Sequence, residues 1–199
     1  MRTLEIIGYK RANLGKSESK NLRAEGNVPC VLYGGKEQVH FHSPMILFRE
    51  LVYTNQASFV TLNIEGEIKT AILQDIQFHP VSEVILHADF LELFDDKEVK
   101  MDIPLTFSGS SPGVAKGGNL IQKLRYLQVK ALPKDMPESI NVDVSDLDFG
   151  RTIKVGDIAE EGFQVTNSKL ASVASVEIPR ALRSQQSQEE EDGEEAAEE

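Results

Sequence analysis

The chain has 199 residues with 21 basic and 32 acidic side chains, a net charge of -11, and only one cysteine, Cys30. That length allows two cores of about 90 residues each. With no apolar run of about 18 residues and no charged-then-apolar leader, neither a membrane helix nor a secretory segment is expected, and a lone cysteine excludes an internal disulfide or a cysteine-based zinc site.

The charge is unevenly spread. Residues 1–94 carry 9 basic and 11 acidic groups, residues 95–184 carry 12 and 13, and residues 185–199 carry none and 8, so the body without the last fifteen residues stands at -3. The exception to the general acidity lies near the start, where Lys10, Arg11, Lys16, Lys20 and Arg23 fall within residues 9–23 against one acid, Glu18. A basic block in an acidic chain points to a polyanionic partner.

Taken in chain order, most segments alternate with period 2, which makes the fold class mainly β. A first strand is expected near Leu4–Lys10. Residues Lys16–Glu25 lack β-branched side chains and run into Gly26, so they read as one short helix with Lys16, Lys20 and Arg23 on one face. Val28–Tyr33 reads as a buried strand, enclosing Cys30 as a core thiol, and Val39–His42 as its short partner. Ser43-Pro44 marks a helix start that turns Phe48, Leu51 and Val52 inward. Two runs, Phe59–Ile64 and Glu67–Leu73, flank a Glu65-Gly66 hairpin turn, with Val60, Leu62 and Ile64 on one face. In Val84–Leu93, alternation puts Leu86, Ala88 and Phe90 on one face and His87, Asp89 and Leu91 on the other. Several short antiparallel strands with few helices favour a small closed barrel over residues 1–94.

The polar break Phe94–Lys97 marks the boundary to a second, mainly β domain over 95–184. It begins with the alternating run Val99, Met101, Ile103, Leu105 and Phe107. A Gly/Ser-rich loop follows at Ser108–Asn119, then a long strand region Leu120–Leu132, then strands at Ser139–Ser145 and Ser172–Ile178. The loop lacks the G-x-x-x-x-G-K-[ST] spacing of a phosphate loop. Residues 185–199, a block of like charges with no apolar residue larger than Ala, are expected to be a disordered acidic tail, serving as a solubilising extension or as a self-competitor for the basic face.

Two clusters carry the candidate chemistry. In the first, basic side chains neutralise phosphates, Asn13 and Asn21 position the backbone, and Tyr9 or Tyr33 can stack on a base or ribose. The second is Gln74, Gln77, His79, His87 and Asp89, side chains able to hydrogen-bond base edges and 2′-hydroxyls. Strict alternation puts Gln74 and Gln77 on opposite faces, so a bulge between them is required for both to reach one ligand. The competing reading, a metal or acid/base site using His40, His42, His79, His87 and Asp89, finds no H-E-x-x-H, carboxylate cluster or nucleophile motif. No catalytic residue, metal or cofactor is expected.

The motifs KRANLGKSESKNLRAEGNVPCVLYGG, LQDIQFHP and LHADFLEL together resemble the bacterial large-subunit ribosomal protein family that binds 5S ribosomal RNA, in its long form with a C-terminal domain, also called the general stress protein Ctc. The resemblance covers about the first 94 residues closely and the remainder by length, placement and β pattern. It implies a barrel similar to the anticodon-binding domain of glutaminyl-tRNA synthetase, and it implies RNA binding by Arg11, Lys16, Ser19, Lys20, Arg23, Tyr33, Gln74, Gln77, His79, His87 and Asp89. Asn21 and Phe78 stand where some relatives carry arginine. The partners implied are 5S ribosomal RNA and neighbouring large-subunit proteins, with the chain a cytoplasmic, ribosome-associated monomer that contacts no membrane. The alternative is a stress-induced protein that binds a partner off the ribosome.

Overall fold

The alternation of small and branched apolar residues with polar ones in the first ninety residues resolves, in a computed structural model that describes residues 1–158 and 162–179, into a closed six-stranded barrel. The expected acidic tail, 185–199, lies outside the described residues. Strands β1 (Arg2–Lys10), β2 (Asn27–Tyr33), β3 (Val39–Pro44), β4 (Ser58–Ile64), β5 (Glu67–Phe78) and β6 (Ile85–Glu92) pair in the order β1-β3-β2-β6-β5-β4. Parallel pairing of β4 with β1, from Arg2↔Ser58 to Gly8↔Ile64, closes the cylinder and leaves no free edge. Helix α1 (Lys16–Ala24) links β1 to β2, and a 3-10 turn at Met45–Phe48 continues into α2 (Arg49–Val52).

Inward side chains fill the barrel. Phe41 lies 5.9 Å from Phe90 between ring centroids, and Phe48 6.2 Å from Phe90, with Val60, Leu62 and Ile64 from β4 around them. Gly8 is where β1 passes this cluster: a Cβ there would come within 2.5 Å of the Phe41 ring, so any other residue would displace the aromatic core. The Glu65-Gly66 turn forms as read, with φ of 51° and 95°, and Asn63 Oδ1 accepts the Gly66 N–H at 3.1 Å. Cys30 is buried, and burial pushes its thiol well above the ordinary value.

The β5–β6 ladder departs from strict alternation twice. Leu73 pairs with Phe90 but Asp75 pairs with Asp89, so Gln74 is an extra residue on β5; Gln77 pairs with His87 but Phe78 pairs with Ile85, so Leu86 is an extra residue on β6. The second bulge corrects the sequence reading of β6. The inward position one turn of the pleat before Ala88 belongs to Ile85, which is buried, whereas Leu86 is only half-buried.

By compactness the chain divides into a unit of Met1–Pro104 with Gln128–Ser139 and Gly162–Gln164, and a unit of Leu105–Leu127 with the described parts of 140–161 and 165–199. After the barrel come β7 (Val99–Ser108), α3 (Pro112–Ala115), β8 (Asn119–Gln122), β9 (Tyr126–Ala131), β10 (Ile140–Asp143), β11 (Thr152–Lys154), β12 (Gln164–Val165) and β13 (Ser172–Glu177). They form a four-stranded sheet in the order β10-β7-β9-β12 and a three-stranded sheet in the order β11-β13-β8. Ile140, Val142 and Val144 are buried, as their alternation requires.

Two local readings of this region change. The stretch Leu120–Leu132 is two strands in different sheets, because the N–H groups of Lys123 and Leu124 both donate to Val173 O (2.8 and 3.2 Å) and turn the chain out of the β8–β13 ladder. The Gly/Ser-rich loop is folded: buried Ser111 donates to Leu147 O and caps the one-turn α3, and Lys116 pairs with Asp148 at 2.8 Å.

Candidate nucleic-acid interface

Helix α1 lies against β2 through Leu22, its only buried residue, and Gly26 ends it at φ 80°, as the sequence requires. Its start is braced from β1. Arg11, whose N–H donates to His40 O, reaches Ser19 Oγ at 3.0 Å with Nη2, and Ser19 Oγ in turn donates to Gly15 O at 2.9 Å. The end of α1 is tied to β6, where Arg23 Nε donates to Leu86 O at 2.9 Å. Leu86 is the bulged residue, so its carbonyl is free of the β5 ladder and available to the guanidinium. Arg11 and Arg23 are therefore half-buried groups that orient the helix, whereas Lys16 and Lys20 stand exposed, one turn apart, with no carboxylate in ion-pair range among the described residues. Lys10, counted with the basic block, is taken up elsewhere: its ammonium lies 2.9 Å from Glu67, which raises the lysine above its ordinary value and lowers the glutamate.

The outer surface of β2, β6 and β5 carries the second cluster. Parallel pairing sets Val31 beside Asp89 and Tyr33 beside Leu91; antiparallel pairing sets Asp89 beside Asp75 and His87 beside Gln77. His87 Nδ1 and Asp89 Oδ1 are 2.8 Å apart, both about a quarter to a third exposed, so each holds the other's orientation while remaining reachable from solvent. Burial, followed by the charges of Asp89 and Asp75, raises the Tyr33 phenol, which keeps its hydroxyl protonated and able to donate. His79 closes the β5–β6 turn: its Nδ1 accepts the N–H groups of Val81 (3.3 Å) and Ser82 (3.2 Å), which in the neutral ring leaves the proton on Nε2.

The required bulge is present at Gln74 itself. Leu73 and Ile76, three residues apart, both pack against the barrel core, so the pleat changes parity between them, and Gln74 and Gln77 are both exposed. Tyr33, Gln74, Gln77, His87 and Asp89 are thus gathered on one stretch of outer sheet, with α1 anchored to its β6 strand through Arg23. Ser19 is engaged in the brace between Arg11 and Gly15. Asp75 is the residue that sequence reading passed over; its signal is the register itself, which pairs it with Asp89. Among the described residues no group of three or more His, Cys, Asp or Glu is placed to hold a metal ion.

This chain is 58% identical over 183 residues to the large ribosomal subunit protein bL25 of Amoebophilus asiaticus, covering 92% of this chain and 93% of that protein. The chain belongs to the bL25 family. The bL25 protein of Cytophaga hutchinsonii is 53% identical over 186 residues, 94% of this chain and 97% of that one, and that of Phocaeicola vulgatus 43% over 190. The ribosomal L25p family model matches residues 6–90 and the ribosomal protein TL5 C-terminal domain model residues 98–180, which makes this a long-form bL25 chain. Membership of a ribosomal protein family makes it a structural protein of the large subunit and not an enzyme.

Proposed function

We propose that this chain binds 5S ribosomal RNA on the large subunit through residues 1–94, with 95–184 packing against neighbouring subunit components in the cytoplasmic ribosome. The observation that carries the reading is the double bulge of β5–β6, which turns Gln74 and Gln77 outward beside His87 and Asp89 and frees the Leu86 carbonyl that anchors Arg23. The sheet residues offer amides, an imidazole and a carboxylate in fixed register, the chemistry that reads base edges and 2′-hydroxyls in the shallow minor groove of RNA. Beside it, Lys16, Lys20 and the two braced arginines supply phosphate contacts that set affinity and orientation.

The test is titration of the full-length protein with 5S ribosomal RNA and with transfer RNA across a salt series. Tight binding to the first that persists at moderate salt, with transfer RNA far weaker, is the expected result. Equal, salt-labile binding to both would reduce the face to a generic polyanion surface.

A further inference from the structure

The boundary between the two family models does not coincide with the boundary of the folded units. Residues Gln128–Ser139 fall inside the stretch 98–180 that matches the TL5 C-terminal domain, yet they belong to the compact unit of the barrel. This segment is the end of β9 and the loop after it. Three ion pairs tie it to the rest of that unit: Lys130 to Glu98 at 2.5 Å, Lys134 to Asp95 at 3.8 Å, and Glu138 to the Met1 ammonium at 2.8 Å. Exposed pairs of this kind hold little free energy. Burial holds more: Val129, Ala131 and Met136 are buried, and Pro133 and Lys134 line, with Phe59, Thr70, Leu93 and Phe94, a cleft of about 500 Å³.

On the barrel, the residue that requires a cover is Ile72. Ala71 and Leu73 pack in the barrel core, so Ile72 between them points outward; it is nonetheless completely buried and stands apart from that core. Ile72 pairs with Leu91 of β6. Thr70 and Leu93, which line the cleft beside the segment, each lie two residues from that pair and so on the same outer side, and the Leu93 N–H donates to Thr70 O at 2.9 Å. In the other direction Leu91 pairs with Tyr33, and two residues further along β5 is the Gln74 bulge. The layer over Ile72 therefore borders the row that carries Tyr33 and Gln74.

We propose that Gln128–Ser139 is a strap that covers Ile72 and clamps β4, β5 and β6 together just before the Gln74 bulge, so that a segment of the C-terminal family region positions the RNA face without touching RNA. Met136, the buried apolar anchor of the loop, is then a positioning residue. This role rests on the RNA reading of the face.

The experiment follows amide hydrogen exchange and 5S ribosomal RNA binding together in the full-length protein carrying Met136→Ala. Amides of β5 should exchange about tenfold faster while those of β2 and β3 stay within about twofold, and RNA affinity should fall about tenfold through faster dissociation, with the salt slope unchanged. Met136→Leu, which refills the volume, should restore both. Faster exchange with undiminished RNA affinity would make the segment a stabiliser of the fold that does not position the face, and unchanged exchange in β5 would mean that it does not cover that strand; either result overturns the proposal. Failure of the RNA reading itself shows separately, as unsubstituted protein that binds 5S ribosomal RNA no better than transfer RNA, and removes the strap's role with it. If Met136→Ala does not fold, Pro133→Gly loosens the strap through its backbone and is judged by the same two readouts.

Discussion

The basic block near the start of the chain contains lysines of two kinds, and the difference predicts a measurable split in salt dependence. Lys16 and Lys20 are exposed and unpaired among the described residues, whereas Lys10 is joined to Glu67 at 2.9 Å and its main-chain N–H to Glu65 at 3.1 Å. A lysine that neutralises a phosphate releases condensed counterions and contributes about 0.7 to 0.9 to the slope of log K against log salt. Taking about 0.8 per lysine, and the electrostatic part as vanishing near 1 M salt, each is worth about fivefold in affinity at 0.15 M and about tenfold at 0.05 M. The double variant Lys16→Ala, Lys20→Ala should therefore bind 5S ribosomal RNA about 20-fold more weakly at 0.15 M and about 100-fold more weakly at 0.05 M, with the slope reduced by about 1.6. Lys10→Ala should leave the slope unchanged, because the charge it removes is already balanced by Glu67. Fluorescence anisotropy with labelled RNA over that salt range measures both. A Lys10→Ala slope change as large as that of Lys16→Ala, or no change in the double variant, would refute the division of the basic block into free and engaged groups.

Other consequences follow from the same geometry. Phe90→Ala removes the ring that touches both Phe41 and Phe48 and should cost about 3 to 5 kcal/mol in urea unfolding; a loss below about 1 kcal/mol would mean that the barrel core is not organised around it. Deleting Gln74 removes the extra residue and leaves Leu73 against Phe90 and Asp75 against Asp89 in plain alternation, so Ile76 stays inward and Gln77 outward; RNA binding should fall by the loss of the Gln74 amide while thermal stability holds, and a large drop in melting temperature would refute this reading of the bulge. Asp89→Ala should weaken RNA binding by roughly 1 to 3 kcal/mol with little change in salt slope, since a hydrogen-bonding group and not a phosphate neutraliser is lost. Burial raises the Cys30 thiol, so the folded protein should react slowly with a thiol reagent at pH 8 and rapidly in urea. The sign also predicts that the thiol's contribution to stability is full below its ordinary value of 9.0 and declines as pH rises above it, which Cys30→Ala should abolish in melts between pH 8 and 10.

Local chemistry accounts for the features that were legible from the amino-acid order alone. Period-2 alternation in Val60, Leu62 and Ile64, a positive-φ pair at Glu65-Gly66, and a helix stopped by Gly26 are each set by the residue and its immediate neighbours. A mainly β chain with a basic helix near its start was therefore readable at once. The motif Gln-Asp-x-Gln-x-His-Pro announced the second cluster and even the need for a bulge, because alternation alone could not bring Gln74 and Gln77 to one face. Where the extra residues sit was decided only by pairing between strands. The excess residue on β5 is Gln74, and a second excess residue, Leu86, falls on β6, so that Ile85 takes the buried position that alternation assigned to Leu86. The roles of the arginines were also tertiary: Arg11 and Arg23 look like Lys16 and Lys20 in a charge count, yet one braces Ser19 and the other meets a carbonyl 63 positions away in the chain. Composition records that a charge exists; only the folded chain decides whether a hydrogen-bond acceptor has already claimed it.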